Sequence, residues 1–235
     1  MRRRSLALLV ALAGVMAMAV PAHGAINTPV AVWQMNEPSS SRRMADSSGN
    51  GISGTIGSHV LVGTALSGGG TGYRFPYLQP NRPPADPQHL VVVQHHARLN
   101  PGTGAFAVEV RLRTTHSFGN VIQKGQAGSA GGYWKFEQPN GKISCLFRGS
   151  VGSSTATSGT RRVNDGRWHT VRCERSSSSV VMKVDGVVTG RNSNATGSIT
   201  NTKPLTIAGK LSCDQVNPTC DYFAGEIDYV KIQRA

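Results

Sequence analysis

Short runs of β-branched and aromatic residues, separated by turns rich in glycine, serine and asparagine, repeat along most of the chain after residue 24. The clearest run is Phe106–Arg113, in which apolar side chains largely alternate with charged ones. Successive side chains of a strand point to opposite faces, so this run predicts a strand with one face on a core and the other in solvent. Helical periodicity is hard to find in the same stretch. The pattern predicts an all-β protein built from many short strands.

Turn residues divide these runs further. Asp185-Gly186 and Asn140-Gly141 each separate two apolar runs, and such pairs favour hairpin turns because both central residues need positive φ. Residues 76–87 contain five prolines, which predicts a long surface loop rather than a central strand. Residues 150–160 are rich in serine, glycine and threonine, and this composition predicts a flexible connection.

The N-terminus has the three-part layout of a secretory signal. Three arginines at positions 2–4 precede an apolar run over residues 6–20, and residues 21–24 end in small side chains. The run is short for a membrane-spanning helix, which needs about 20 apolar residues. We therefore expect a signal peptide at residues 1–24, a secreted, extracellular single domain at residues 25–235, and no membrane span. The alternative is an uncleaved N-terminal anchor.

The chain is strongly basic, with 25 Lys+Arg against 12 Asp+Glu and a net charge of +13. Subtracting the three arginines of the predicted signal leaves +10. Such a surface attracts acidic polymers, including anionic polysaccharide and nucleic acid. Because the basic residues form no run and export argues against a nucleic-acid role, we expect no specific nucleic-acid partner.

The four cysteines predict two disulfides, because an even number in an exported protein usually pairs. Three connectivities are available. Cys213 and Cys220 bracket a short loop, so their pairing has a small entropic cost, and that leaves Cys145 to pair with Cys173. A zinc site is the rival interpretation, but no CxxC pair is present.

Eight short motifs follow one another in a fixed order, at residues 31–37, 45–55, 106–109, 121–125, 164–171, 184–186, 205–209 and 223–230. The most specific is Asn-Asp-Gly-Arg-Trp-His-Thr-Val at 164–171, which is similar to the motif D-G-x-W-H-x-V. In this order the motifs resemble the laminin-G-like, concanavalin-A-like jelly-roll domains of bacterial secreted proteins. The resemblance implies a two-sheet antiparallel β-sandwich. It also implies a glycan-binding, adhesion or accessory role, with calcium in many members.

The D-G-x-W-H motif has a structural interpretation. Its Asp-Gly pair turns the chain into a strand, where Trp168 is expected to bury a large surface and to need one partner for its indole N–H. His169 is then expected on the opposite face of the pleat. A structural role for this motif is favoured over catalysis.

A hydrolase interpretation starts from Glu226 and Asp228, because related jelly-roll glucanases place E-x-D-x-x-E on one strand. Here Lys231 stands at the third acid position, and a lysine cannot protonate a leaving group. The sequence therefore predicts a protein without catalytic residues, and a polysaccharide hydrolase or lyase is the least favoured function.

A structural calcium ion is the cofactor that the resemblance implies. Asp228 on the last strand and Asp46 in the early Asp-Ser-Ser-Gly loop are the predicted carboxylate ligands, together with backbone carbonyls. In the alternative interpretation Asp46 forms an Asx-turn and Asp228 caps the edge of a sheet.

Glycan sites combine aromatic platforms with hydrogen-bond donors. The predicted ligand-binding residues lie on the middle hairpin and are Tyr133, Trp134, Phe136 and Arg148. Strand alternation places Tyr133 on the face opposite Trp134 and Phe136, so only one of the two faces can meet a ligand. A second aromatic set beside the proline-rich loop comprises Tyr73, Phe75 and Tyr77.

The histidines are expected to be ordinary surface or half-buried side chains. The predicted function is that of a secreted binding module for carbohydrate or cell-wall polysaccharide. The alternative is an extracellular protein–protein adhesion or accessory domain, and the sequence does not separate these two partners.

Overall fold

The computed structural model describes residues 25–79, 81–214 and 219–235. The predicted signal peptide, residues 1–24, lies outside the described residues, as does the middle of the loop between Cys213 and Cys220. None of the helices in the described ranges is both long and apolar enough to cross a membrane. In chain order the strands β1 to β16 are Thr28–Trp33, Arg43–Met44, Gly54–Ile56, Leu61–Ala65, Thr71–Phe75, Val91–Val93, Phe106–Arg113, Asn120–Lys124, Tyr133–Glu137, Ser144–Arg148, Ser153–Thr157, Trp168–Arg175, Val180–Val184, Val187–Asn192, Leu205–Ile207 and Gly225–Arg234. Three 3₁₀ helices span Pro87–His89, Ala97–Leu99 and Pro139–Gly141.

The described strands form two antiparallel sheets of eight strands each. The first sheet has the order β14-β13-β12-β7-β16-β5-β4, with β1 paired to β16. The second sheet has the order β11-β10-β9-β8-β15-β6-β3-β2. Strands distant in sequence are neighbours in both sheets, which is the connectivity of a jelly roll. The predicted two-sheet antiparallel β-sandwich is confirmed.

The core lies between the sheets, and β7 shows how the sequence builds it. Its apolar residues from Phe106 to Leu112 are fully buried, whereas Glu109, Arg111 and Arg113 are half-buried on the outer face. The ring of Phe106 meets that of Trp134 from the second sheet, with centroids 5.6 Å apart. The predicted alternation is thus confirmed, and the inner face of β7 packs against aromatic side chains of the opposite sheet.

Both predicted turns form with the required backbone. Asp185 and Gly186 have φ of 50° and 79° between β13 and β14, and Asn140 and Gly141 have φ of 53° and 75° between β9 and β10. Residues 76–86 form no strand in their described part, as expected.

The prediction of a flexible connection at residues 150–160 was wrong. Residues 153–157 form β11, which pairs with β10 along its whole length. Alternate residues of β11 are buried, including Ser154 and Ala156. Small side chains there allow a polar sequence to pack as an edge strand.

Both predicted disulfides are confirmed. Cys145 in β10 pairs with Cys173 in β12, so this bond joins the two sheets through the core. Cys213 pairs with Cys220 and packs with Leu90 and Tyr222 in a separate apolar cluster.

Candidate functional site

A cleft of about 680 Å³ opens at one end of the second sheet, where β9 begins and β10 ends. Tyr133 and Arg148 are cross-strand partners, so both side chains lie on the outer face of the sheet and line this cleft. The rest of the lining is glycine, alanine, serine and threonine from the loops around residues 127–132, 149–150 and 198–200. Two of the four residues predicted for ligand binding are therefore brought together.

The two side chains differ in their exposure to a ligand. Arg148 is exposed and has no hydrogen-bond or ion-pair partner among the described residues. Tyr133 is mostly buried, and within the same described ranges its hydroxyl has no partner either. Serine and threonine hydroxyls surround them. The cleft thus offers a cation, a phenol and small hydroxyls, with no acidic side chain in its lining.

Trp134 and Phe136, the other two predicted contacts, must be corrected. Both are fully buried in the core, and the indole N–H of Trp134 donates to the Leu99 carbonyl at 3.2 Å. The structure decides between the two faces of β9, because Trp134 and Phe136 complete the core and leave Tyr133 on the outer face. Neither ring can meet a ligand in the folded protein.

Glycines shape the walls of the cleft. A Cβ atom added to Gly131 would lie 1.7 Å from the Thr200 carbonyl oxygen, and one on Gly132 would lie 2.2 Å from that of Arg148. The loops therefore meet backbone to backbone, and no side chain could stand between them. The glycine-rich stretch at residues 125–132 was the sequence signal for this cleft.

Lys124 is a residue that sequence reasoning missed. It is fully buried in β8, and its ammonium donates to the carbonyls of Asn201 at 3.2 Å and Lys203 at 2.7 Å. Desolvation lowers the pKa of Lys124 to about 8. These bonds hold the segment that follows Thr200, so Lys124 positions one wall of the cleft from below.

The second aromatic set divides in the same way. Tyr73 and Phe75 are buried, and the Tyr73 hydroxyl donates to the carboxylate of Glu37. Tyr77 is 61% exposed, and its ring stacks on that of His116 with centroids 4.6 Å apart. Tyr77 and His116 border a smaller cleft of about 360 Å³, which is separate from the first.

The acids of β16 are held by arginines. Glu226 accepts hydrogen bonds from Arg74 and Arg113, both at 2.8 Å, and Asp228 pairs with Arg111 at 2.5 Å. A bulge at Asp228 shifts the register of β16 against β7, and Lys231 lies 3.4 Å from Glu109. A retaining glycosidase needs a carboxylic acid and a free carboxylate facing each other across the substrate. Salt-bridged carboxylates on the outer face of the first sheet do not offer that pair.

The D-G-x-W-H motif is structural: Trp168 and His169 lie on opposite faces and the indole N–H of Trp168 donates to the Ser67 hydroxyl at 3.1 Å, both as expected, but the expected burial of Trp168 was wrong. Trp168 is half-buried on the outer face, where the guanidinium of Arg111 lies 4.6 Å from its ring centroid. His169 points inward and bridges Asp185 at 2.9 Å and Asp165 at 3.0 Å. Trp168 is outside because it pairs with Arg113, an outer-face residue of β7.

The predicted calcium ligands are engaged with protein donors. The Asp46 carboxylate accepts hydrogen bonds from the backbone N–H groups of Val32, Ser48 and Ile52, at 2.9–3.0 Å, and from the Ser48 hydroxyl. Asp228 is paired to Arg111. A carboxylate surrounded by donors has little capacity left for a cation, and an adjacent guanidinium repels one. The two side chains as arranged do not fit a calcium site, and Asp46 forms the alternative Asx-type turn.

Replacing Asp46 tests this structural role. Burial alone would raise the pKa of Asp46, but the hydrogen bonds from Val32, Ser48 and Ile52 outweigh it and lower the pKa below the usual range of an aspartate. We expect Asp46→Asn to lose about 1–3 kcal/mol of unfolding free energy at pH 7. A lowered pKa in the folded state means that this contribution is present above the unfolded value and disappears as pH falls through the folded value.

Urea denaturation at pH 7 and at acid pH, with and without added calcium, provides the measurement. The difference between Asp46→Asn and the unaltered protein should shrink below pH 4 and should be the same with and without calcium. A difference that appears only in calcium would contradict the hydrogen-bonding role.

A two-sheet jelly roll with an open, loop-bounded cleft defines a β-sandwich domain of the kind that serves as a binding module. The sequence model of the laminin G domain matches residues 112–235, more than half of the chain. The chain belongs to the laminin G domain family. The comparison with curated protein sequences returned no match.

Two solved binding domains share this fold. The binding domain of Paraclostridial Mosquitocidal Protein 1 is 10% identical, with a TM-score of 0.61, over 88% of this chain and 48% of that chain. The binding domain of Botulinum neurotoxin serotype D is 13% identical, with a TM-score of 0.61, over 89% and 48%. The mouse laminin alpha1 chain, domains LG4-5, is 23% identical, with a TM-score of 0.48, over 61% and 37%. The present chain thus spans less than half the length of each of these chains.

Proposed function

We propose that this protein is an exported, extracellular binding module for an anionic carbohydrate, and that the cleft at Tyr133 and Arg148 is its ligand site. One observation supports this most directly: a guanidinium without a partner among the described residues stands beside an aromatic ring in an open cleft whose lining has no acid. Arginine binds carboxylate and sulfate oxygens bidentately, which favours uronic or sulfated sugars over neutral ones.

The rest of the molecule favours the same ligand class. A net charge of +10 after residue 24 raises the local concentration of an acidic polymer and accelerates its encounter. The hydroxyls of Ser129, Ser150 and Thr200 add small donors and acceptors around the arginine. A cleft with several hydroxyls and a guanidinium that has no partner in the described part of the chain matches the spaced acidic and hydroxyl groups of a sugar chain.

An extracellular protein partner is the alternative function. The exposed aliphatic and phenylalanine side chains lie on separate strands and loops apart from one adjacent pair on β14, and they are Leu61, Phe118, Val151, Val187 and Val188. Single exposed apolar residues are normal on a soluble protein and do not form an interface by themselves. The carbohydrate proposal is favoured because its site has a defined cleft.

Arg148→Ala tests the proposal. We expect it to weaken binding to an acidic polysaccharide by roughly tenfold or more, because a charge-assisted bidentate hydrogen bond contributes about 1.5–3 kcal/mol. Arg191→Ala is the matched control, because it removes the same charge from an exposed arginine that lies outside the cleft. Both variants should unfold like the unaltered protein.

The measurement is a panel of uronic, sulfated and neutral polysaccharides, titrated at low and high salt with either calcium or EDTA. Binding that survives high salt and fails only in Arg148→Ala supports a shaped site. Equal losses in both variants would mean that net charge alone attracts the polymer. No binding to any polysaccharide would contradict the proposal and favour a protein partner. Loss of binding in EDTA would reveal a cation requirement.

A further inference from the structure

Three potential metal ligands converge at a corner of the fold away from the cleft. His59 lies in the loop between β3 and β4, whereas Asp86 and His89 flank the end of the proline-rich loop. Among the described residues these form the one group of three histidine, cysteine or acidic side chains whose ligand atoms lie within 4.8 Å of one another. All three precede residues 112–235, the segment that the family model matches.

The distances within this group match a face of a coordination tetrahedron. The two Nδ1 atoms are 3.2 Å apart, and Oδ2 of Asp86 lies 3.1 Å from Nδ1 of His59 and 3.2 Å from Nδ1 of His89. Ligands about 2.0–2.1 Å from zinc at the tetrahedral angle are separated by roughly 3.3 Å. The three atoms therefore form a nearly equilateral triangle of the size that a small cation needs.

Hydrogen bonds alone cannot make all three contacts between these atoms favourable. If both Nδ1 atoms carry protons, both donate to Asp86 but the two N–H groups oppose each other. If only one carries a proton, the lone pair of the other faces an ionised carboxylate. In either arrangement of the protons, one pair of atoms in the triangle repels. A cation above the triangle would instead attract the lone pairs of all three atoms.

The surrounding backbone holds the ligands in place. The N–H of His59 donates to the Gln88 carbonyl at 3.0 Å, and the side-chain oxygen of Gln88 accepts from the N–H and the hydroxyl of Ser58. Oδ1 of Asp86 accepts from the Gln88 N–H at 2.9 Å, which leaves Oδ2 aimed at the histidines. These contacts fix the backbone of the loop at His59 and the direction of the Asp86 carboxylate, whereas the Nε2 atom of buried His89 has no hydrogen-bond partner among the described residues.

One side of the triangle is open. The side chain of His59 is 53% exposed and that of Asp86 30%, whereas His89 is buried. Two imidazoles with one carboxylate suit zinc and similar first-row divalent ions, whereas calcium prefers an all-oxygen shell.

We propose that His59, Asp86 and His89 bind a divalent transition metal of the zinc class, through the two Nδ1 atoms and Oδ2, with the fourth coordination position open to solvent. The metal ties the loop after β3 to the end of the proline-rich loop. This site is independent of the carbohydrate cleft.

Titration of the purified protein with zinc chloride tests the site, using protein without a polyhistidine tag and previously stripped with EDTA. We expect one zinc ion per chain by calorimetry. Loss of an outer-shell contact alone weakens a metal site by about 10- to 100-fold, so loss of the ligand in His59→Ala should weaken zinc binding by at least about 100-fold. The exposed His95 gives the matched control His95→Ala, which should bind zinc like the unaltered protein.

Asp86→Asn adds a variant that keeps the fold. Its amide oxygen can still accept from the Gln88 N–H, but an amide nitrogen replaces Oδ2 and cannot bind the metal. Cobalt chloride gives an independent readout, because four-coordinate Co²⁺ absorbs strongly in the visible range. We expect this band in the unaltered protein and in His95→Ala, and its loss in His59→Ala and Asp86→Asn. Zinc binding that is absent, or equally weak in His59→Ala and His95→Ala, would overturn the proposal.

Discussion

Removing the Cys145–Cys173 disulfide should destabilise this protein more than removing Cys213–Cys220. The first bond closes 28 residues and the second closes 7. The loop-entropy relation gives about 3.6 kcal/mol for the first and about 2.4 kcal/mol for the second. Cys145 and Cys173 are also fully buried between the sheets, so alanine at both positions leaves a cavity that adds to the loss.

Urea denaturation of Cys145→Ala/Cys173→Ala and Cys213→Ala/Cys220→Ala, beside the unaltered protein, measures both losses. The slopes of the transitions should be compared as well, because a changed slope signals a changed denatured state rather than a changed native contact. Equal losses for the two pairs, or a larger loss for the short loop, would contradict a leading role of the inter-sheet bond. Because Arg148 follows Cys145 on β10, the first pair should also loosen the cleft.

Gly131→Ala should be the most damaging single substitution in the cleft. Gly131 has φ of +80°, and an added Cβ would lie 1.7 Å from the Thr200 carbonyl oxygen. The positive φ costs alanine about 1–2 kcal/mol, and displacing the loop at Thr200 adds roughly 1–3 kcal/mol. The same displacement breaks the 2.8 Å hydrogen bond from the Thr200 N–H to the Gly131 carbonyl.

Gly128→Ala is the matched control for this substitution. Gly128 lies in the same loop with φ of +85°, but an added Cβ there has no heavy atom within 4 Å. It should lose only the backbone term, so the difference between the two variants measures the close approach of the loops. Thermal or urea unfolding gives the stabilities, and amide exchange at Thr200 reports the broken bond. Equal unfolding free energies of the two variants would contradict the prediction, because they would show that the close approach of the loops at Gly131 and Thr200 adds nothing to the loss of stability.

Several features could be predicted from the sequence because they depend only on residues close together in the chain. The alternation in Phe106–Arg113 assigned its inner and outer faces correctly, because a strand has a fixed period of two. Asp185-Gly186 and Asn140-Gly141 marked their turns, since few other pairs adopt positive φ twice in succession. The pairing of the cysteines followed from separation along the chain, and the order of the motifs indicated the family.

Tertiary structure decided which faces are buried wherever the alternation was ambiguous. Both faces of β9 carry aromatic or long side chains, and only packing against Phe106 placed Trp134 in the core and Tyr133 in the cleft. Trp168 lies outside because Arg113 is its cross-strand partner, and that pairing joins residues 55 positions apart. A pattern confined to one strand carries no information about the partner strand.

The two candidate sites also differ in whether neighbouring or distant parts of the sequence form them. Tyr133 and Arg148 could be predicted from the sequence because they lie on the two strands of one hairpin. The turn between β9 and β10 is enough to bring them together. From the sequence the histidines are expected to be ordinary surface or half-buried side chains and Asp86 is not singled out, because no short spacing links His59 to Asp86 and His89. Their ligand atoms meet only because the loop after β3 packs against the 3₁₀ helix that ends the proline-rich loop. The sequence thus determined the strands, turns and cysteine pairs by local rules, whereas long-range packing determined the exposed faces and the convergence of these ligands.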